Sequence, residues 1–263
     1  VNGLESLLAI LFYSLQLYFD FSGYCDMARG IGKMFGFELP ENFNAPLMAT
    51  SVKDFWRRWH ITLSRFLTTY IYIPLGGNRK GLAVKCRNLF VVFLVSGFWH
   101  GANWTFVIWG LMHGMAMIFE ALFPKLRFKA EWLNRIFTGI FVTLSFSIFR
   151  SDSLSSAWLL CQKLFHGGFR GFFVGVCNTL LVPENYPVFK LLEMKLPQLL
   201  NPFFVACTLM LLIISLLLAA APKAEFFLQK YGTKKRTLIL LAFLFTWAFI
   251  SLSQVSTFLY FDF

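Results

Sequence analysis

The run NLFVVFLVSGFWHGANWTFVIWGLMHGMAMIF, Asn88 to Phe119, carries no charged residue over 32 positions, yet it holds two histidines, each followed by glycine. One membrane crossing takes about 20 residues. The run is therefore too long for one ordinary span and too short for two spans with a connecting loop. Gly97 and Gly101 bracket His100, and glycine tolerates the backbone departures that a break needs. The pattern predicts a short helix from Asn88 to about Phe98, an irregular turn over Trp99–Asn103 and a full helix from Trp104 to Phe119. The first piece would climb about 15 to 20 Å from Lys85 and Arg87, which sets His100 near mid-depth. Irregular backbone at that depth is tolerated only where protein covers it or a watery cavity meets it.

The rest of the chain agrees with a membrane setting. Of its 263 residues 57% are hydrophobic and 14% charged, and 34 are phenylalanine, against about 25% charged in ordinary soluble domains. Lys and Arg outnumber Asp and Glu by 24 to 13. These cations sit in short loops between apolar runs, so the positive-inside rule explains them better than a nucleic-acid partner does. The five cysteines have no CxxC pairing and read as reduced packing residues, with neither a disulfide framework nor a zinc site implied. There is no basic n-region with a cleavage site, so no signal peptide is expected. The start at valine suggests the C-terminal part of a longer chain. Residues 1–263 read as one membrane-embedded domain without internal repeats.

Phe203–Ala221 and Thr237–Phe261 are charge-free spans. The basic loop between them should be cytoplasmic, which puts the C-terminus outside, and Lys53–Arg87 and Lys125–Arg135 should be cytoplasmic by the same rule. Ile136–Phe149 would then rise to an external excursion from about Gly167 to Asn201. The expected fold is an all-α polytopic bundle with broken or re-entrant and interfacial helices.

Polar residues occur where lipid should be. Tyr13, Gln16, Asp20 and Tyr24 follow steps of three and four and form one stripe on a helix. A carboxylate such as Asp20 in a membrane marks a functional cavity or a buried pair, and Asp26 can pair with Arg29. Ser51–Gly77 mixes Lys53, Arg57, Arg58 and Arg65 with aromatics, as an interfacial anchor helix does. On that helix His60 shares a face with Arg57 and Ser64, and a cationic neighbour disfavours its protonated form. His100 is read either as a core histidine bonded to a carbonyl or as a functional group at the break. His113 falls on a different face and is read as a packing residue. There is no HExxH, Walker loop or GxSxG elbow. What remains suits moving a proton and holding an anionic ligand.

Four stretches in order, LQLYFDFSGYCDMARGIGKMFGFELPENFNAP, DFWRRWHITLSRFLTTYIYIPLGGNRKG, SGFWHGANWTFVIWGLMHG and the terminal FLYFDF, resemble the membrane-bound O-acyltransferase family. The nearest branch is the bacterial one of alginate O-acetyltransferases and the D-alanyl transfer protein of teichoic acid modification. The match is strong over about residues 10 to 120, and the remainder agrees mainly in span pattern. The resemblance implies that His100, in WHG, is catalytic with His60 as its polar partner. It also implies a tunnel in which a cytoplasmic acyl thioester, acetyl-CoA foremost, meets an acceptor hydroxyl of an extracytoplasmic polysaccharide or of a separate esterase-like relay protein.

On that reading Asp20, Arg57, Trp99 and Asn103 would line the substrate path, and Arg58, Arg79 and Lys80 would attract donor phosphates. Positive-inside topology explains Arg57, Arg58, Arg79 and Lys80 equally well. Trp56, Trp59, Trp99, Trp104 and Trp109 are packing residues or tunnel walls more than sugar platforms. No bound cofactor, metal or nucleic acid is implied, and the location implied is a bacterial cytoplasmic membrane, with membrane lipid around the protein. The rival reading is a transporter or exporter subunit with a proton-coupled site, since broken helices with polar groups also build those. A structural scaffold is a third reading, for which the intramembrane polar residues would be an unneeded destabilisation.

Overall fold

A computed structural model describes residues 2–168, 177, 185–221, 230–232 and 234–251. All regular structure among them is helical: α1 (Gly3–Met34), α2 (Val52–Arg58), α3 (Ile61–Leu67), α4 (Leu82–His100), α5 (Trp104–Leu122), α6 (Glu131–Arg150), α7 (Leu154–His166), α8 (Tyr186–Lys195), α9 (Leu200–Ala220) and α10 (Lys235–Ser251). Among the described residues five segments are long and apolar enough to cross a membrane: Gly3–Met34, Leu82–His100, Trp104–Leu122, Glu131–Arg150 and Pro197–Ala220. The chain is a multi-pass helical membrane protein.

α1 opens with a reciprocal cap. The Asn2 side chain accepts from the Glu5 N–H at 2.9 Å, and the Glu5 carboxylate accepts from the Asn2 N–H at 2.8 Å. Its 32 residues rise about 48 Å, more than the roughly 30 Å of hydrocarbon. The surplus turns carry Asp26, Arg29 and Lys33. Arg29 lies 3.8 Å from Asp26, as the sequence predicts, and 3.6 Å from Glu41.

The charge-free run forms a tight hairpin with a three-residue connection. α4 begins earlier and ends later than expected, since Lys85 and Arg87 are compatible with helix and the break upstream falls at Gly81, with φ 90°. The turn shrinks to Gly101–Asn103, and α5 continues to Leu122. Backbone contact explains the glycines here. A Cβ on Gly97 would stand 2.7 Å from the Phe106 carbonyl oxygen, and one on Gly110 would overlap the Phe93 carbonyl, so small residues let the two helices touch.

Ser51–Gly77 is not one interfacial helix. α2 ends at Arg58, Trp59 is extended, His60 is left-handed at φ 43° and ψ 55°, and α3 follows. Phe55, Trp56 and Trp59 are buried in the same core as Phe93, Phe106, Trp109, Phe146 and Phe149. Membrane anchoring needs exposed aromatics, and these form the interior instead. α6 packs on α1 and α5, while α1 also packs on α7 and α9. Of the external excursion, α8 is described and Phe169–Val176 and Asn178–Glu184 lie outside the described residues. Of Thr237–Phe261, residues 237–251 are described and residues 252–261 lie outside the described residues.

Candidate active site

Two backbone breaks carry two histidines. His60 occupies the first, and a short segment from sixteen residues upstream holds it there. The Ile61 N–H donates to the Asn42 carbonyl at 3.0 Å, the Asn44 N–H donates to the Arg58 carbonyl at 2.9 Å, and the Thr62 hydroxyl donates to Asn42 Oδ1 at 2.6 Å. Left-handed backbone at a non-glycine residue costs on the order of 1–3 kcal/mol and persists only where its surroundings over-determine it. Asn42 and Asn44 supply that constraint.

The His60 imidazole is 8% exposed. It packs edge-on to Phe21, with centroids 4.8 Å apart, and to Trp99 at 5.9 Å. Its Nδ1 is buried with no hydrogen-bond partner. Burial pushes its pKa down to about 4, so the ring is neutral at physiological pH. Desolvation, and not a shared helical face with Arg57, sets that state; Arg57 is exposed and His60 is outside any helix.

His100 ends α4 at the second break. Gly101 follows with φ 154° and ψ 168°, and a Cβ there would stand 2.6 Å from the Phe106 ring. The half-buried imidazole is boxed by Trp99 at 4.8 Å, Trp109 at 5.0 Å and Phe149 at 5.1 Å between centroids. Three aromatic rings stand roughly perpendicular to it, and no hydrogen bond from a described residue reaches either nitrogen. The half-exposed Trp99 indole thus touches both imidazoles.

His113 is different. It is fully buried; its Nδ1 is 3.1 Å from Trp56 Nε1, and its Nε2 is 2.9 Å from Ser145 Oγ. An indole N–H can only donate, so Nδ1 accepts and the proton sits on Nε2. Nε2–H then donates to Ser145, whose hydroxyl donates to the Val142 carbonyl at 2.7 Å. The network is closed, as expected of a packing histidine.

The other sequence candidates separate by their contacts. Asn103 caps α5, accepting from the Thr105 N–H at 3.2 Å and donating to the Asp152 carbonyl at 2.9 Å. Arg58 is engaged by Asp54 at 3.0 Å and by the Asn44 carbonyl. Arg57, Arg79 and Lys80 make no ion pair among the described residues, and Arg79 and Lys80 sit on a loop that the buried Asn88 holds through the Gly77 and Leu75 carbonyls. Asp20 is half-buried, and no described contact joins it to either histidine or to an arginine. Trp56, Trp59 and Trp109 are core, whereas Trp104 is exposed.

A cavity of about 760 Å³ lies between α1, α9 and α10, lined by Tyr18, Ser22, Asp26, Arg29 and Leu241 among others. It shares Asn42 and Phe43 with the wall behind His60, but neither histidine lines it. Two residues that sequence reasoning passed over matter here. Asn42 builds the His60 turn, and Glu120 accepts from the Val52 N–H at 2.6 Å and from the Lys53 N–H at 3.1 Å. A lone glutamate closing a charge-free run was the available signal for the second.

Comparison with known proteins identifies the family. The family described as "MBOAT, membrane-bound O-acyltransferase family" matches residues 6–151, more than half of the chain and all of the two-histidine region. The chain is 40% identical over 272 aligned positions to "Peptidoglycan O-acetyltransferase" of Helicobacter pylori, an alignment spanning 100% of this chain and 50% of that protein. It is 44% identical over 169 positions to "Probable alginate O-acetylase AlgI" of Pseudomonas aeruginosa, covering 62% of this chain and 32% of the other. "Teichoic acid D-alanyltransferase" of Bacillus subtilis is 34% identical over 152 positions, 54% of this chain and 38% of that one. The chain spans half or less of the length of these relatives.

Proposed function

Because the chain belongs to the membrane-bound O-acyltransferase family, we propose that it carries the reacting groups of an O-acyltransferase that moves an acyl group, acetyl foremost, from a cytoplasmic thioester toward an extracytoplasmic hydroxyl. The single observation that carries this reading is the pair His60 and His100, held at two backbone breaks on either side of Trp99. Neither ring is spent on a protein hydrogen bond as His113 is.

A sugar or serine hydroxyl is a poor nucleophile at neutral pH. An imidazole within hydrogen-bond reach takes its proton as the oxygen attacks the thioester carbonyl. His100 fills that role: half-buried and free of internal partners, it can accept the proton and return it to the departing thiolate. The new carbon–oxygen bond forms as the carbon–sulfur bond breaks, leaving ester and thiol. His60, neutral through burial, has one N–H to donate to the reactants or to the tetrahedral oxyanion, where a well-placed donor contributes a few kcal/mol. A buried imidazole nitrogen without a partner costs about 1–3 kcal/mol, a cost that a substrate contact would remove.

Arg57, Arg79 and Lys80, free of ion pairs, are suited to draw in donor phosphates; Arg58 is given to Asp54 instead. Asn103 acts through the hairpin turn rather than on substrate, and Trp99 is the wall between the two rings. Asp20, a carboxylate with no described partner, keeps a place along the substrate path. The acceptor we favour is an exported polysaccharide, reached directly or through an extracytoplasmic relay protein, with the protein in a bacterial cytoplasmic membrane and its C-terminus outside.

The test uses the full-length protein in membranes supplied with radiolabelled acetyl-CoA, scoring label on extracytoplasmic polymer. Label that appears with wild type and vanishes with His100→Ala at equal accumulation supports the reading. Equal label in both removes His100 as the base, and none in either removes acetyl-CoA as donor.

A further inference from the structure

Glu120 makes contacts that the proposed chemistry does not use. It lies near the end of α5 away from His100, and its two carboxylate oxygens accept from the first two N–H groups of α2, across 68 and 67 residues of sequence. α2 has seven residues, too few to hold a helix without outside contacts. Its remaining first-turn group is satisfied locally, the Asp54 N–H donating to Ser51 Oγ at 3.0 Å. Arg127 lines the same groove as Glu120, yet the two form no ion pair. The carboxylate is committed to backbone.

The second hold on α2 comes from the same face of α5. Glu120 follows His113 by seven residues, two turns along one stripe, and His113 takes the Trp56 N–H at 3.1 Å. Val52 meets Glu120 and Trp56 meets His113, so α2 ascends as α5 descends. Continued in that direction, α2 delivers Trp59 and then His60 toward the hairpin apex, where Trp99 and His100 stand. A shift of α2 along α5 would move His60 off Trp99.

We propose that Glu120 is a positioning residue that fixes the register of α2 and, through it, the place of His60. Its consequence for acyl transfer rests on the function proposed above; its consequence for His60 does not. Charge-assisted bonds of this kind are stronger than neutral ones, and a displacement of about 1 Å at a reacting group can cost on the order of a hundredfold in rate.

The experiment compares wild type, Glu120→Ala and Glu120→Gln as full-length protein in membranes. It has two readouts: the rate of His60 modification by diethyl pyrocarbonate, followed by peptide mass spectrometry with the half-buried His100 as internal reference, and transfer of label from acetyl-CoA. Glu120→Ala should expose His60 to the reagent several-fold faster while accumulating normally, and should lower transfer by about tenfold to a hundredfold. Glu120→Gln keeps one acceptor oxygen and should fall between on both. Unchanged protection of His60 in Glu120→Ala overturns the proposal, even if transfer is lost. Should Glu120→Ala fail to accumulate, Glu120→Gln decides, and wild-type protection there overturns it. Deprotection of His60 in Glu120→Ala, in a protein whose wild type transfers no label, supports the positioning role and removes acetyl-CoA as the donor instead.

Discussion

His100 and His113 lie thirteen residues apart on the two arms of one hairpin, and the chain treats them in opposite ways. His113 faces α2 and α6, is sealed from solvent and has a bond on each nitrogen. His100 stands at the turn, packed between aromatic rings, with no hydrogen bond from a described residue to either nitrogen. A buried polar group is normally satisfied, so the first ring is structure. The second is a group left available for something that is not protein. The same residue type, in the same short stretch, is assigned by its hydrogen bonds.

Substitutions sharpen that contrast. His100→Ala should lower transfer by about 10²- to 10⁴-fold, the span expected for a lost general base, with membrane accumulation unchanged because no hydrogen bond is lost. Loss of His60 should cost about 10²- to 10³-fold in transfer. Two versions separate backbone from side chain: His60→Gly suits φ 43° and should be more stable than His60→Ala by about 1 kcal/mol, while both lose the same activity. Thermal unfolding in detergent together with label transfer checks this pair.

His113→Ala should behave in the converse way. It leaves the Trp56 N–H and the Ser145 hydroxyl short of a partner in a packed core, a loss of about 3 kcal/mol in stability. Transfer per folded molecule should fall much less than in His100→Ala, by no more than the loosening of α2 brings about. A His113→Ala protein that unfolds no more easily than wild type would break the comparison.

A gradual effect is a pH slope. The folded pKa of His60, about 4, lies below its ordinary value near 6.5, so the unfolded chain binds more protons between the two. Its contribution to stability is therefore present above about pH 6.5 and is lost as pH falls toward 4, an effect of at most about 3 kcal/mol. Thermal stability of wild type should fall over that window more steeply than that of His60→Gly.

Much of this was legible in the sequence, for local reasons. A charge-free run with glycines around a histidine signals a break, and Asn103 before an apolar run is a helix N-cap signature. The His60 turn was not legible. RRWHITLS contains no glycine or proline, and the break is imposed by Asn42 and Asn44 from a distant segment, where tertiary contact overrides local propensity. The same holds for Ser145 and Glu120, partners 32 and 67 or 68 residues from the groups they bond. Burial of Trp56 and Trp59 depended on that turn too, which is why an interfacial helix was the natural expectation.

The most direct test measures acetyl transfer per folded copy for His100→Ala and His113→Ala in one membrane preparation, with folding read by thermal stability in detergent. Acid-base chemistry at His100 predicts that His100→Ala keeps most of its stability and loses transfer, while His113→Ala loses stability and keeps far more transfer per folded copy than His100→Ala does. Transfer surviving in folded His100→Ala, or vanishing in folded His113→Ala alone, would contradict the assignment.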